Sequence, residues 1–251
     1  MITDDHPLAR LAMHPLAHAL FLDIDGTLLD LAETPDGIHV PPGLADDLRR
    51  LSDRMDGALA LVTGRRIPWA DDTFAHPFPI AGLHGFERRR ADGTVIGIDV
   101  PPGLDLARTR LAPFAAIPGM VVEDKGSAVA LHFRKAPDRA AEADAAMEAL
   151  AQDIGPGWSL QRGKMVIELR PAGASKGAAI AEFLSEPPFA GRIPIAIGDD
   201  VTDEAMFPVV NELGGTSIRI GDAAQATAAR AHLESPTVLR AALQRIAAWD
   251  V

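Results

Sequence analysis

Cysteine is absent from all 251 residues. That excludes disulfides and thiolate chemistry and fits a reducing compartment, so a cytoplasmic location is expected. Positive charge is scarce: 24 Lys and Arg face 35 Asp and Glu, a formal net charge of −11. No nucleic-acid partner and no anionic membrane partner is expected from that balance. An anionic substrate would need local positive charge or a metal ion. Long apolar runs are also lacking. The opening "MITDDHPLAR" carries acids instead of a positive n-region, and Arg10, His14, Pro15 and His18 break the run that follows. Neither a signal peptide nor a membrane-spanning helix is expected. No G-x-G-x-x-G follows the first strand, which disfavours a dinucleotide-binding oxidoreductase. Internal repeats and low-complexity linkers are missing too. What is present is 47 % hydrophobic, enough for a globular core of one or two domains.

The first part of the chain alternates strand and helix. "HALFL" reads as a buried strand, and "ALALV" and "PIAGL" as two more. "PPGLADDLRRLSDRM" sets Leu44, Leu48, Leu51 and Met55 at helical spacing. Such alternation predicts a parallel sheet with right-handed crossovers. "FERRRADGTVIGI" predicts a hairpin turning at Asp92-Gly93. The middle changes character. Helix "LDLARTRLAPFAAI", strands "MVVEDK" and "AVALHFR", helix "DRAAEADAAMEALAQDI", and a hairpin "WSLQR"/"MVIELR" around Gly163-Lys164 follow in the order αββαββ. That order predicts an inserted α+β domain over residues 104–170, between core segments 1–103 and 171–251. The βα rhythm then returns with "SKGAAIAEFLSE", "IPIAIG", "TDEAMFPVVNEL", "TSIRIG" and a last helix near "TVLRAALQRIAAW".

The polar residues cluster where strands run out. "ALFLDIDGTLLD" places Asp23 and Asp25 after an apolar strand, then Gly26 and Thr27. Two adjacent carboxylates raise each other's pKa, and a divalent cation is the simplest compensation. Thr63-Gly64, His84, and the run Asp199, Asp200, Asp203 stand at other strand ends. In a parallel sheet, ligands bind outside those ends. Mg2+ takes oxygen ligands, and Asp23, the backbone carbonyl of Asp25, and Asp199 would suit it. Thr63 and Lys176 would hold phosphate oxygens, one as a hydroxyl donor and one as a point charge. Each motif also has a plainer reading. D-x-D is often a turn, "SKG" a helix cap on Ser175, "GDDVTDE" an acidic first turn favoured by the helix dipole, and Thr63-Gly64 a strand exit. Their joint order argues for chemistry.

"DIDGT", "LVTGR", "SKG" and "GDDVTDE", in that order, resemble the four signature motifs of the haloacid dehalogenase superfamily of phosphatases. "PIAGLHGFERR", "VEDKGSAVALHFR", "VIELRP" and "IGDDVTDEAMF" resemble the bacterial trehalose-6-phosphate phosphatases within it. The resemblance runs from about residue 19 to about residue 220. It implies a Rossmannoid core with a parallel sheet and an inserted α+β cap. It also implies Mg2+, a small sugar phosphate as substrate, and a functional link to a trehalose-6-phosphate synthase.

By the same resemblance, Asp23 is the nucleophile that forms an aspartyl phosphate. Asp25 is the general acid and then the general base, with Thr27 in support. Asp199 binds the metal. Asp203 holds a metal water or orients Lys176, and Asp200 does either. Lys176 keeps Asp23 ionised and binds phosphate. In the cap, Glu123, Lys125 and Glu168 fall on sugar-binding positions and Arg134 is a further candidate, the alternative being a solvated charged face. His84 either orients substrate or closes a strand as a satisfied histidine. Two other functions stand beside this one: a phosphatase of another sugar phosphate, such as sucrose phosphate or mannosyl-phosphoglycerate, and a sensor that binds without turnover.

Overall fold

The computed structural model describes residues 6–31, 38–97, 100–163 and 165–249. The chain divides into two compact units, Met1–Gly97 with Ser175–Val251, and Ile98–Ala174.

In chain order, the first unit opens with α1 (Ala9–Met13), β1 (His18–Leu22), α2 (Leu44–Arg54), β2 (Leu59–Val62), α3 (Ile67–Phe74), β3 (Ile80–Gly82), β4 (Glu87–Arg89) and β5 (Val95–Gly97). The second unit follows with α4 (Leu104–Leu111), β6 (Val121–Asp124), β7 (Val129–His132), α5 (Ala140–Ile154), β8 (Trp158–Gly163) and β9 (Val166–Pro171). The chain returns to the first unit for α6 (Lys176–Leu184), β10 (Ile193–Gly198), α7 (Met206–Glu212), β11 (Thr216–Ile220), β12 (Ala231–Leu233) and α8 (Pro236–Ala247).

The first unit is built on an eight-stranded sheet in the order β12-β11-β10-β1-β2-β3-β4-β5. The six strands from β12 to β3 pair in parallel, and β4 and β5 add an antiparallel edge. All five residues of β1 are buried. A strand covered on both faces needs a continuous apolar run, and "HALFL" comes close to one. His18 is the exception, and its Nδ1 lies 2.8 Å from the His14 carbonyl oxygen. Phe21 packs against Phe183 and Phe189, with ring centroids 6.1 and 5.6 Å away. The sheet order reverses around β1: the chain goes from β1 to β2 on one side and fills β10 to β12 on the other. That reversal leaves a crevice at the carboxyl ends of β1 and β10.

The second unit has a four-stranded antiparallel sheet in the order β6-β7-β9-β8. Val129, Leu131, Ile167 and Leu169 face a core shared with Ala107, Leu111, Ala143, Met147 and Leu150 of α4 and α5. The other face carries a polar row. Glu123 pairs with Ala130, Ala130 with Glu168, and Glu168 with Gln161, so these four share one side of the sheet.

Several elements differ from the sequence reading. The second compact unit runs Ile98–Ala174 and contains the whole stretch 104–170. The Trp158 indole donates to the Pro102 carbonyl at 2.9 Å, and a side chain on Gly103 would press on Ile154 at 3.0 Å, so the approach to α4 packs with the second unit. Pro113 ends α4 as a 3-10 turn, Ala112–Ala116, and the helix expected from Thr202 begins as a 3-10 turn, Asp203–Ala205. The hairpin turn near Gly163 holds through the Gly163–Val166 pair, whereas Lys164 lies outside the described residues. Helix α3 and the short edge strand β12 have no counterpart in the sequence reading.

Candidate active site

Three neighbouring strands end in the residues of interest. Asp199 follows β10, Asp23 follows β1 and Thr63 follows β2, and these strands adjoin in that order. The Asp23 amide continues the ladder by donating to the Ile197 carbonyl at 3.0 Å, which holds the residue at the sheet rim. Beyond it the chain reverses. Gly26 has φ +82°, and its amide donates to the Leu29 carbonyl at 2.7 Å. A Cβ on Gly26 would sit 2.2 Å from Asp199 Oδ2. Only glycine allows both that backbone conformation and that approach.

Lys176 joins the carboxylates. It is the first residue of α6, whose N-cap Ser175 accepts a hydrogen bond from the Ala178 amide at 3.0 Å. The cap expected of "SKG" is therefore present together with the charged contact. The ammonium donates to Asp23 Oδ1 and to Asp203 Oδ1, both at 2.6 Å. Asp203 is fully buried, and its other oxygen accepts the amides of Asp199 and Asp200 at 3.0 Å each. Those bonds fold "GDDVTDE" back on itself. Thr27 donates to Asp199 Oδ1 at 3.1 Å, so Thr27 touches Asp199. Asp200 is exposed and its carboxylate accepts from the Val201 amide, turned into its own loop.

Carboxylate oxygens of Asp23, Asp199 and Asp203 all lie within 4.8 Å of one another. Burial pushes the Asp23 carboxyl well above the usual range, and the charge of Asp203 adds to this against the pull of Lys176. Burial and Asp203 also push Asp199 up, to about 6. Burial alone would lower Lys176, but Asp203 and Asp23 outweigh it and raise it. One ammonium therefore leaves this group short of positive charge. An all-oxygen cluster with uncompensated negative charge fits a hard divalent cation such as Mg2+.

Asp25 lies apart from that cluster. Its two carboxylate oxygens receive a fork from Arg65, Nε to Oδ2 at 2.9 Å and Nη2 to Oδ1 at 2.7 Å. Arg65 was not among the residues singled out from the sequence. Thr63 is buried, and its Oγ1 accepts the Arg65 amide at 3.0 Å. His84 has φ +57°, in the left-handed region, and its amide donates to the Thr63 carbonyl at 2.8 Å. Its ring covers Gly64, where a Cβ would lie 2.7 Å from His84 Cε1 and Nε2. Thr63, Gly64 and His84 thus form one packed corner at the rim.

In the second unit Lys125 donates to Glu168 Oε2, and His132 Nε2 lies 2.8 Å from Glu123 Oε2. The His132 hydrogen bond lowers the Glu123 carboxyl below its ordinary value, against partial burial. Arg134 is exposed just past β7, outside that polar row.

A parallel sheet whose central strands deliver a lysine-held aspartate and a second acidic loop, with an inserted αββαββ unit, defines a haloacid dehalogenase-like phosphatase fold. A family model described as trehalose-phosphatase matches residues 21–237. A probable trehalose-phosphate phosphatase of Sinorhizobium fredii is 53 % identical over 235 residues, covering 93 % of this chain and 89 % of that protein. A trehalose-6-phosphate phosphatase of Escherichia coli is 42 % identical over 225 residues, covering 87 % and 83 %. Among solved structures, a trehalose-6-phosphate phosphatase related protein superposes with a TM-score of 0.75 at 27 % identity, covering 91 % of this chain and 96 % of that one. The C-terminal domain of a C. albicans trehalose-6-phosphate phosphatase shares the fold, with a TM-score of 0.77 at 22 % identity over 92 % and 93 % of the two chains. The chain belongs to the trehalose-phosphatase family.

Proposed function

We propose that this protein hydrolyses trehalose 6-phosphate to trehalose and phosphate with Mg2+. The observation that carries the reading is the buried Asp23–Lys176–Asp203 contact beside Asp199, at the ends of β1 and β10. Its relatives' names support the substrate.

An Asp23 oxygen attacks phosphorus, forming one P–O bond as the ester P–O bond breaks. The electron pair stays on the sugar oxygen, which takes a proton from Asp25. In the second step a water oxygen bonds to phosphorus and gives a proton to Asp25, and the bond to Asp23 breaks. Lys176 holds Asp23 in line and offsets its charge. Thr63 and Lys176 bind the transferred phosphate. Asp23, the Asp25 carbonyl and Asp199 would hold Mg2+, with Asp203 fixing the loop, Thr27 steadying Asp199 and Asp200 at the loop's exposed side. The cation supplies neutralisation of the phosphate charge that opposes attack.

Glu123, Lys125, Glu168 and Arg134 supply hydrogen bonds to sugar hydroxyls, which suit charged acceptors and donors. His84 orients the substrate near Thr63. A synthase making trehalose 6-phosphate would act upstream. The test is a panel of sugar phosphates assayed for free phosphate with and without Mg2+. Trehalose 6-phosphate should be hydrolysed fastest, and only with the cation. Preference for sucrose phosphate or mannosyl-phosphoglycerate would change the substrate. Binding without release would mark a sensor.

A further inference from the structure

Arg65 is fixed more firmly than its sequence setting suggests. Its amide donates to Thr63 Oγ1 and its carbonyl accepts from the Leu83 amide, both at 3.0 Å. Peptide groups on both sides of its Cα are thereby held. Its guanidinium carbon lies 4.5 Å from the centre of the Trp69 ring on α3. That helix is itself anchored, because the Ile67 amide donates to Glu87 Oε1 of β4 at 2.6 Å. From this platform the guanidinium reaches both oxygens of Asp25. The Arg65 and Asp25 side chains are 24 % and 29 % exposed, which leaves Asp25 open to a ligand.

A planar fork on both oxygens stops the carboxylate rotating about its Cβ–Cγ bond, which a point charge would not do. We propose that Arg65 is a positioning residue for Asp25: the fork uses one lone pair of each oxygen and so aims a remaining lone pair, the one that carries the proton given to the leaving alkoxide and that takes one from the attacking water. The inference rests on the phosphatase reading above. Arg65 acts through Asp25, so its loss should scale with the need for proton transfer.

The test compares two leaving groups. A sugar alkoxide needs the proton, whereas nitrophenolate leaves without it. In Arg65→Ala, kcat on trehalose 6-phosphate should fall about ten- to a hundredfold, the range of a hydrogen bond to a charged group. On 4-nitrophenyl phosphate only the water step should slow, so nitrophenol should appear in a burst stoichiometric with enzyme. Added guanidinium ion should restore turnover. Arg65→Lys, which keeps the charge without the fork, should behave like the alanine variant, and it carries the test if the alanine variant does not fold. Equal losses on both substrates with no burst, a raised KM at unchanged kcat, or full activity in Arg65→Lys would each overturn the inference. Absence of phosphate release by the unaltered protein on every substrate would instead reject the phosphatase reading itself.

Discussion

Lys176 Nζ stands 2.6 Å from Asp23 Oδ1, in a pocket where both side chains are at most 5 % exposed. The same ammonium serves Asp203 at the same distance. Its removal leaves two buried carboxylates without their cation. Breaking such a pair costs about 3–5 kcal/mol. Lys176→Met should therefore unfold at a lower temperature at neutral pH in chelator, and Mg2+ should raise its midpoint more than that of the unaltered protein. An unchanged midpoint in chelator would mean that Lys176 does not compensate these carboxylates.

Gly26→Ala should lose both activity and cation response. The new methyl meets Asp199 at 2.2 Å and the backbone is left-handed there. The turn must shift, and Asp199 with it. The measurement is phosphate release against Mg2+ concentration. A curve that matches the unaltered protein would remove the close approach of Gly26 and Asp199 from the account.

The polar row of the second unit should matter for the sugar and not for the phosphate. Glu123→Gln and Glu168→Gln should each lower kcat/KM on trehalose 6-phosphate by about ten- to a hundredfold, from a hydrogen bond worth roughly 1.5–3 kcal/mol. Slow hydrolysis of 4-nitrophenyl phosphate should stay within about twofold in both variants, since a nitrophenyl group offers no hydroxyls to these side chains. Equal losses on both substrates would give these residues a role in folding or in the core chemistry.

Arg88 of β4, 6 % exposed, donates to Glu186 at 3.0 and 2.9 Å. The hydrogen bond from Arg88 holds the Glu186 carboxyl below its ordinary 4.5, against some desolvation. A lowered carboxyl stabilises the fold above the unfolded value and loses that contribution as pH falls through the folded value. Glu186→Gln should cost about 1 kcal/mol at pH 7, and the gap from the unaltered protein should close as pH drops below about 4.5. Thermal unfolding of both proteins across that range checks it. A gap that widens with acidity would reverse the assignment.

The sequence made the strand ends legible because β1, β2 and β10 are apolar runs that stop at polar residues. Asp23, Thr63, Lys176, Asp199 and Asp203 could be placed together on that pattern and on the resemblance it carried. Arg65 closes the motif "LVTGR", but its role is not legible there because its partner Asp25 is 40 positions away. A signal existed: two residues past Thr63, it had to share the same rim. Helix α3 was hidden by its eight residues, although Pro68 in its first turn marks a helix start. The three residues of β12 carry no period at all. The left-handed His84 is not legible, since nothing in a histidine announces a positive φ; what its ring does dictate is the glycine at position 64, where a Cβ would lie 2.7 Å from that ring.

The nucleophile is tested most directly by Asp23→Asn, which keeps the side chain's volume and removes its charge. Phosphate release from trehalose 6-phosphate in Mg2+ should vanish in that variant, while circular dichroism and the unfolding midpoint show an intact fold. Phosphate release at the unaltered rate by the folded Asp23→Asn protein would contradict the account.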